Sequence, residues 1–422
     1  MKEKEKIIVL TYSFWPSQEI GARRWTKLAF SLARSGYEVH VIAVKEPSVK
    51  KDKLSPPLEN GIYIHYLESN HPSDLHVPAG NFREKIKKKF QLLLLKLKTK
   101  GTYFDRGVFL RKDVLDSFKK LVTQYRVHNI IAVGAPFSFL RYAAEFKSIN
   151  KNIRLISDLR DPWTNGHYYG FSSLSEKRKK QEEEYEKMVM INSDYVLCPA
   201  PSMTKYLENK YGGFTHREKF KTLFHPFDLS EVSGTKEPQK NNRIVLFSGG
   251  TIDLNGIEEI FSPFLKTFHL LREKSPGVFL RTEVVFRSFT VKLVPLLEKE
   301  KLPLIHFRNK LAATEFFKEA SGASFLMIFL PEDVKDFFIT KFTEFLALKK
   351  PVILIGAQGD VSDFVEKHRL GFFFDYKDET SPRRLAEAIC EMAEGKFEFN
   401  RSFDENIFSL DSATRQLISY ME

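Results

Sequence analysis

Short runs of β-branched and aromatic residues alternate with longer amphipathic stretches along almost the whole chain, and few folds accept that order. Ile7–Leu10 reads as a buried strand. Gly21–Arg34 reads as a helix with Trp25, Leu28, Ala29 and Leu32 at helical spacing, stopped by Gly36. Val39–Val44, Ile62–Leu67, Ile130–Val133, Leu155–Ser157 and Tyr195–Cys198 follow as strands, with helical stretches such as Leu115–Tyr125 and Lys177–Met190 between them. Strand–helix–strand repeated in series predicts a doubly wound parallel sheet. The polar segment Ser233–Asn242 breaks the pattern. It then restarts with Ile244–Phe247, Val284–Phe286, Leu304–Phe307, Ser324–Leu330, Val352–Ile355 and Gly371–Phe374 as strands. The expectation is two similar α/β domains, 1–232 and 243–400, followed by a separate helical pattern at Asp411–Met421.

Size and composition agree with this reading. A chain of 422 residues exceeds one ordinary core, and 42% hydrophobic with 28% charged residues is the balance of a soluble globular protein. No apolar stretch approaches the ~20 residues needed to span a bilayer. The start, MKEKEKIIVLTYSFWP, has a four-residue apolar run, which reads as a strand and not a signal peptide. Cys198 and Cys390 have neither metal-ligand spacing nor a disulfide framework, which fits a cytoplasmic protein. The net charge of +12 suits nucleic acid, an anionic membrane or phosphorylated substrates.

Part of that charge is local. In FREKIKKKFQLLLLKLKTK, Phe82, Ile86, Phe90, Leu93, Leu94 and Leu97 share one helical face, ringed by Arg83, Lys85, Lys87, Lys88, Lys89, Lys96 and Lys98. Such a pattern fits a helix lying on anionic lipid at the inner face of the cell membrane. A core-facing helix with a solvated basic side reads almost as well. Leucines, where nucleic-acid binding would interleave aromatics, argue against a nucleic-acid partner.

In open α/β sheets ligands bind beyond the carboxyl ends of the strands, so the loops after strands hold the candidate chemistry. In the first loop, Gly21 opens a helix whose N-terminus favours anions, with Arg23 and Arg24 in its first turn. An ordinary loop glycine followed by solvated arginines reads equally well there. No G-x-G-x-x-G follows the first strand and no G-x-x-x-x-G-K-[ST] occurs, which argues against dinucleotide and P-loop enzymes. Ser157-Asp158-Leu159-Arg160-Asp161-Pro162-Trp163 sets two carboxylates around an arginine at a strand end, suited to hydroxyl or phosphate recognition or to an internal salt bridge. Gly249, Gly250 and Thr251 follow a strand in the second half and can present backbone N–H groups to a phosphate. In Phe338–Asp363, Lys341 and Glu344 lie three apart on one helical face, Phe342, Phe345, Leu346 and Leu348 cover the core side, and Pro351 ends the helix.

These segments, in this order, resemble GT-B-type glycosyltransferases of the retaining, family-four-like group. The resemblance rests on the first loop with Gly21, on Asp158-Leu159-Arg160-Asp161-Pro162-Trp163, and on Lys341-Phe342-Thr343-Glu344-Phe345-Leu346-Ala347 followed by Lys350-Pro351-Val352. It implies two Rossmann-like domains facing each other across a cleft, an acceptor domain and a donor domain. The C-terminal helix, 408–422, would return to the first. It also implies a hexosyltransferase of polysaccharide biosynthesis that takes a nucleotide-sugar co-substrate and needs no metal or other cofactor. The acceptor would be a saccharide or lipid-linked saccharide. Glu344 matches the second carboxylate of a Glu-x7-Glu motif, which binds ribose, and Asp336 stands at the first. The arginine–lysine pair that relatives use for the diphosphate is missing, leaving Lys341 or Arg287 to substitute. Arg160-Asp161 stands where relatives have His-Asp, and an arginine there would bind phosphate or acceptor. The implied catalytic residues are therefore Arg160, Asp161, Lys341 and Asp336. The donor contacts are Gly249, Gly250, Thr251, Arg287, Lys341 and Glu344, and the phosphate or acceptor loop holds Gly21, Arg23, Arg24 and Asp158. Two rival readings keep the fold: a sugar-nucleotide epimerase and a non-catalytic binding protein.

Overall fold

The computed structural model describes residues 4–17, 20–45, 61–69, 81–166, 170–232, 243–249, 257–287, 293–302, 304–309, 311 and 313–422. The chain divides into two compact units, residues 1–224 with 410–422, and residues 225–409.

The first unit is built on a seven-stranded sheet. Its strands are β1 (Lys6–Leu10), β2 (Glu38–Val44), β3 (Ile62–Leu67), β4 (Asn129–Gly134), β5 (Arg154–Leu159), β6 (Tyr195–Cys198) and β7 (Phe220–Thr222). They run in the order β3-β2-β1-β4-β5-β6-β7, with every pairing parallel. Central strands buried on both faces account for the unbroken apolar runs Ile7–Leu10 and Ile130–Val133. The order reverses between β1 and β4, the kind of point beside whose carboxyl ends ligands bind in open α/β sheets.

The C-terminal helix Leu410–Met421 belongs to this first unit. Leu410, Ala413, Leu417, Tyr420 and Met421 join the core formed by β1, β2 and the helix Ile20–Arg34. Thr414 Oγ1 donates to Ser31 Oγ at 2.8 Å, and Tyr420 stacks on Tyr195 with ring centroids 4.6 Å apart. The periodicity of 411–421 shows an apolar stripe, and the packing shows what covers it.

The second unit carries a six-stranded parallel sheet in the order β10-β9-β8-β11-β12-β13. Its strands are β8 (Ile244–Gly249), β9 (Thr282–Arg287), β10 (Ile305–Phe307), β11 (Phe325–Leu330), β12 (Val352–Gly356) and β13 (Gly371–Asp375). Here the reversal falls between β8 and β11. Phenylalanine dominates the core: Phe261, Phe264, Phe268, Phe286, Phe329 and Phe374 pack together in edge-on and tilted contacts.

The first unit ends at Phe224, short of residue 232, where the sequence suggests the domain boundary. The reason is local: the Phe227 N–H donates to the Phe408 carbonyl at 3.0 Å, and Phe227 bridges Ser409. The polar segment 233–242 lies outside the described residues.

Candidate functional site

Each unit brings a set of the sequence-selected residues to the carboxyl edge of its sheet, and the two sets differ in how they are occupied.

In the first unit Arg24 and Asp158 are sealed. Asp158 sits in β5 and Arg24 in the first turns of the helix Ile20–Arg34, with side chains 0% and 2% exposed. The Asp158 carboxylate accepts Arg24 Nε at 3.1 Å, Arg24 Nη2 at 3.2 Å and Trp25 Nε1 at 2.7 Å. The guanidinium also donates to the carbonyls of Leu223 at 3.1 Å and Phe224 at 2.8 Å, where the chain leaves this unit. A buried ion pair is tolerated when its donors and acceptors are satisfied this way. Arg24 and Asp158, expected in the phosphate or acceptor loop, therefore brace helix, strand and exit segment instead. Trp163 is buried too, stacked on Phe137 at 4.9 Å with its Nε1 donating to Glu182.

Gly21, Arg23, Arg160 and Asp161 remain toward solvent. Arg160 lies against Gly21, where a Cβ would meet Arg160 Nη1 at 2.4 Å, so glycine is what lets the guanidinium approach. Arg160 Nη2 is 3.8 Å from Asp161 Oδ2, a loose pair with side chains 16% and 38% exposed. The Arg160 N–H donates to the Gly134 carbonyl at the end of β4, which sets this arginine beside the reversal point of the sheet. Two segments the sequence treats separately, the first loop and the strand-end cluster, thus meet.

In the second unit Gly249 ends β8 beside Arg287, its register partner at the end of β9. Gly249 has no room for a side chain: a Cβ would stand 2.1 Å from the Phe316 ring. Phe316 lies on the helix Ala313–Ser321, stacks over Phe345 at 6.1 Å, and carries Lys341 Nζ 4.0 Å above its ring. Lys341 Nζ is 3.4 Å from Glu344 Oε2, both on the short helix Thr340–Leu346. Gly249, Phe316, Lys341 and Glu344 therefore form one continuous corner beside the β8/β11 reversal. Glu344 is 1% exposed and Lys341 26%. Phe342 and Phe345 are fully buried, Leu346 and Leu348 nearly so, and together they fix the helix on the core. Phe316 is the residue sequence reasoning missed: in an amphipathic helix a phenylalanine reads only as core.

Two expected contacts are otherwise engaged. Arg287 donates to both oxygens of Glu319, Nε at 2.5 Å and Nη2 at 2.8 Å, and these hydrogen bonds raise its pKa. Its charge is already matched, so it is a poor substitute for the missing diphosphate pair. Asp336 Oδ1 accepts the Asp360 N–H at 2.9 Å, satisfying a donor at the start of the helix Asp360–Lys367. Gly250 and Thr251 lie outside the described residues. Among the described residues no group of three or more His, Cys, Asp or Glu side chains is placed to hold a metal ion. Cys198 is buried, and burial pushes its thiol pKa up.

No family model matches the chain, and no curated protein of similar sequence was found. Solved structures do match over its whole length. Sucrose-phosphate synthase from Thermosynechococcus elongatus superposes with a TM-score of 0.65 at 12% identity, covering 99% of this chain and 98% of that one. A glycosyltransferase from Rickettsia africae gives 0.62 at 13% identity, covering 99% and 98%. The UDP-GlcNAc 2-epimerase of Methanocaldococcus jannaschii gives 0.53 at 12% identity, covering 99% and 100%. With its two parallel sheets and flanking helices, this chain has the α/β fold of the GT-B glycosyltransferases.

Proposed function

We propose that this protein is a glycosyltransferase that moves a hexose from a nucleotide-sugar donor, with retention, to a saccharide or lipid-linked saccharide. The observation that carries the reading is the Lys341–Glu344 pair, held beside Gly249 at the reversal point of a parallel sheet. The neighbours share the fold, and their names include a glycosyltransferase and a UDP-GlcNAc 2-epimerase.

In this reading Glu344 accepts hydrogen bonds from the ribose hydroxyls. It is buried, with Lys341 Nζ 3.4 Å from its Oε2, which holds its oxygens in place. Lys341 balances the diphosphate. As the bond between the anomeric carbon and the diphosphate oxygen breaks, its electron pair leaves with the diphosphate, the acceptor hydroxyl oxygen bonds to the anomeric carbon, and its proton passes to the departing diphosphate. Lys341 with the backbone at Gly249 meets the charge that develops there. One preorganised donor of this kind contributes about 3–4 kcal/mol to lowering the barrier. Arg160, beside Gly21, contacts a phosphate or the acceptor, and Asp161 orients it.

A thermal-shift series with UDP, GDP, ADP and TDP tests the donor site. The melting temperature should rise with one base and not the others, and Lys341→Met should remove most of that rise while lowering kcat about 100-fold or more. No response to any nucleoside diphosphate would refute the reading. The epimerase alternative is favoured by one observation, the fold shared with UDP-GlcNAc 2-epimerases. Product analysis with the nucleotide sugar alone separates the two, since an epimerase needs no acceptor.

A further inference from the structure

The helix Phe82–Lys98 touches its unit along one narrow line. Leu95 and the following Thr99 are buried, and Lys88, Gln91 and Leu92 are half-buried. Projected at about 100° per residue, these five occupy one side of the helix. On the opposite side stand Phe82, Ile86, Phe90, Leu93, Leu94 and Leu97, between 41% and 76% exposed. The same projection gathers these six into an arc of about 120°. Burial thus settles what sequence left open: this apolar face is not the one that packs on the core.

The rim of that face is cationic on both flanks. Lys87 and Lys98 border one side, with Arg83 just inside that edge of the arc, and Lys85, Lys89 and Lys96 border the other, all exposed. The single acidic residue of the helix, Glu84, lies toward the packed side. Asn81 caps the helix, its Oδ1 accepting the Glu84 N–H at 2.9 Å, so the element is defined from its first turn. With seventeen residues, and no described helix long and apolar enough to cross a membrane, it is not a span.

Charge decides the occupant. A second copy of this chain would set one six-cation face against another, which like-charge repulsion opposes. An anionic bilayer supplies both parts of the complement, acyl chains for the apolar arc and phosphates for the lysines, whose stems can reach outward to the headgroups. We infer that Phe82–Lys98 is a bilayer-docking element that seats this protein on anionic lipid. The apolar arc lies at the acyl boundary and the two basic flanks contact headgroup phosphates. The inference does not depend on the proposed transfer reaction.

Flotation of the full chain, without any nucleotide sugar, on vesicles of phosphatidylcholine alone or with phosphatidylglycerol tests it. Binding should require phosphatidylglycerol and weaken with salt. Each lysine near such a surface is worth about a five-fold change in partitioning, the equivalent of about 1 kcal/mol. Replacing Lys85, Lys87, Lys89 and Lys98 together by Gln should therefore lower it about 100-fold or more. The variant Phe90→Ser with Leu97→Ser should also detach the protein. Both sets are exposed, so melting temperatures should stay unchanged, and a melt confirms that the variants fold. Three results would overturn the inference: equal binding to neutral vesicles, unchanged binding of both variants, or a lipid-free dimer that the serine variant converts to monomer.

Discussion

Both sheets place a charged pair near the carboxyl ends of their strands, yet the pairs have different fates. In the first unit Arg24 and Asp158 saturate each other and neighbouring backbone, with no exposed edge. In the second, Glu344 is buried but Lys341 stays one quarter exposed over an aromatic ring. A pair whose hydrogen bonds are all met within the fold serves stability. One whose lysine keeps a quarter of its side chain exposed over an aromatic ring leaves a charge within reach of solvent.

The sharpest way to break this comparison is Asp158→Ala. It leaves the Arg24 guanidinium buried without its carboxylate and should cost about 3–5 kcal/mol, read as loss of the first unfolding transition in urea. A variant that unfolds like the wild type would return the pair to the phosphate or acceptor loop. Gly249→Ala is next. Its Cβ would collide with Phe316, and the adjustment should cost about 1–3 kcal/mol. Because Phe316 carries Lys341, the thermal response to a nucleoside diphosphate should fall more than the stability does.

Acid should separate the units. His65 on β3 stacks near His40 on β2, their rings sharing a 3.1 Å contact, and Glu38 meets His40 Nε2 at 2.9 Å. Burial, with His40 and Lys120 nearby, lowers the His65 pKa to about 4; burial lowers His40 as well, against the opposing Glu38 and alongside Lys6. A lowered folded-state value means the unfolded chain binds the proton first. Stability is then intact above the ordinary histidine value of about 6.5 and declines as pH falls toward about 4. Partial exposure of His65 reduces the effect to about 1–2 kcal/mol. Urea midpoints of the first unit should drop across that window ahead of those of the second. Asp336→Ala is the smallest effect. Loss of its bond to the Asp360 N–H should cost about 1 kcal/mol with kcat nearly unchanged. A kcat reduced 100-fold would instead make Asp336 a substrate contact.

Much of the fold was legible in the residues. The apolar runs found the central strands because burial on both faces requires continuous hydrophobicity. The edge strand β7, Phe220–Thr222, escaped notice because a half-buried three-residue strand leaves no such run. The site was legible in part. Lys341 and Glu344 share a face by spacing alone, and so did the exposed face of Phe82–Lys98. Phe316 was hidden, because its role comes from contact with Gly249 and Lys341, far away in sequence.

From the sequence by itself came the element order, the two α/β units, and the residue types at each strand end, because those follow from local periodicity and chain connectivity. Only the tertiary structure decided which charges are closed off and which stay open. A carboxylate reads identically whether it is matched by Arg24 and Trp25 or by a lysine at the surface. Both carboxylates are buried, and the difference lies in the cation: Arg24 is sealed by residues distant along the chain, whereas Lys341 stays one quarter exposed.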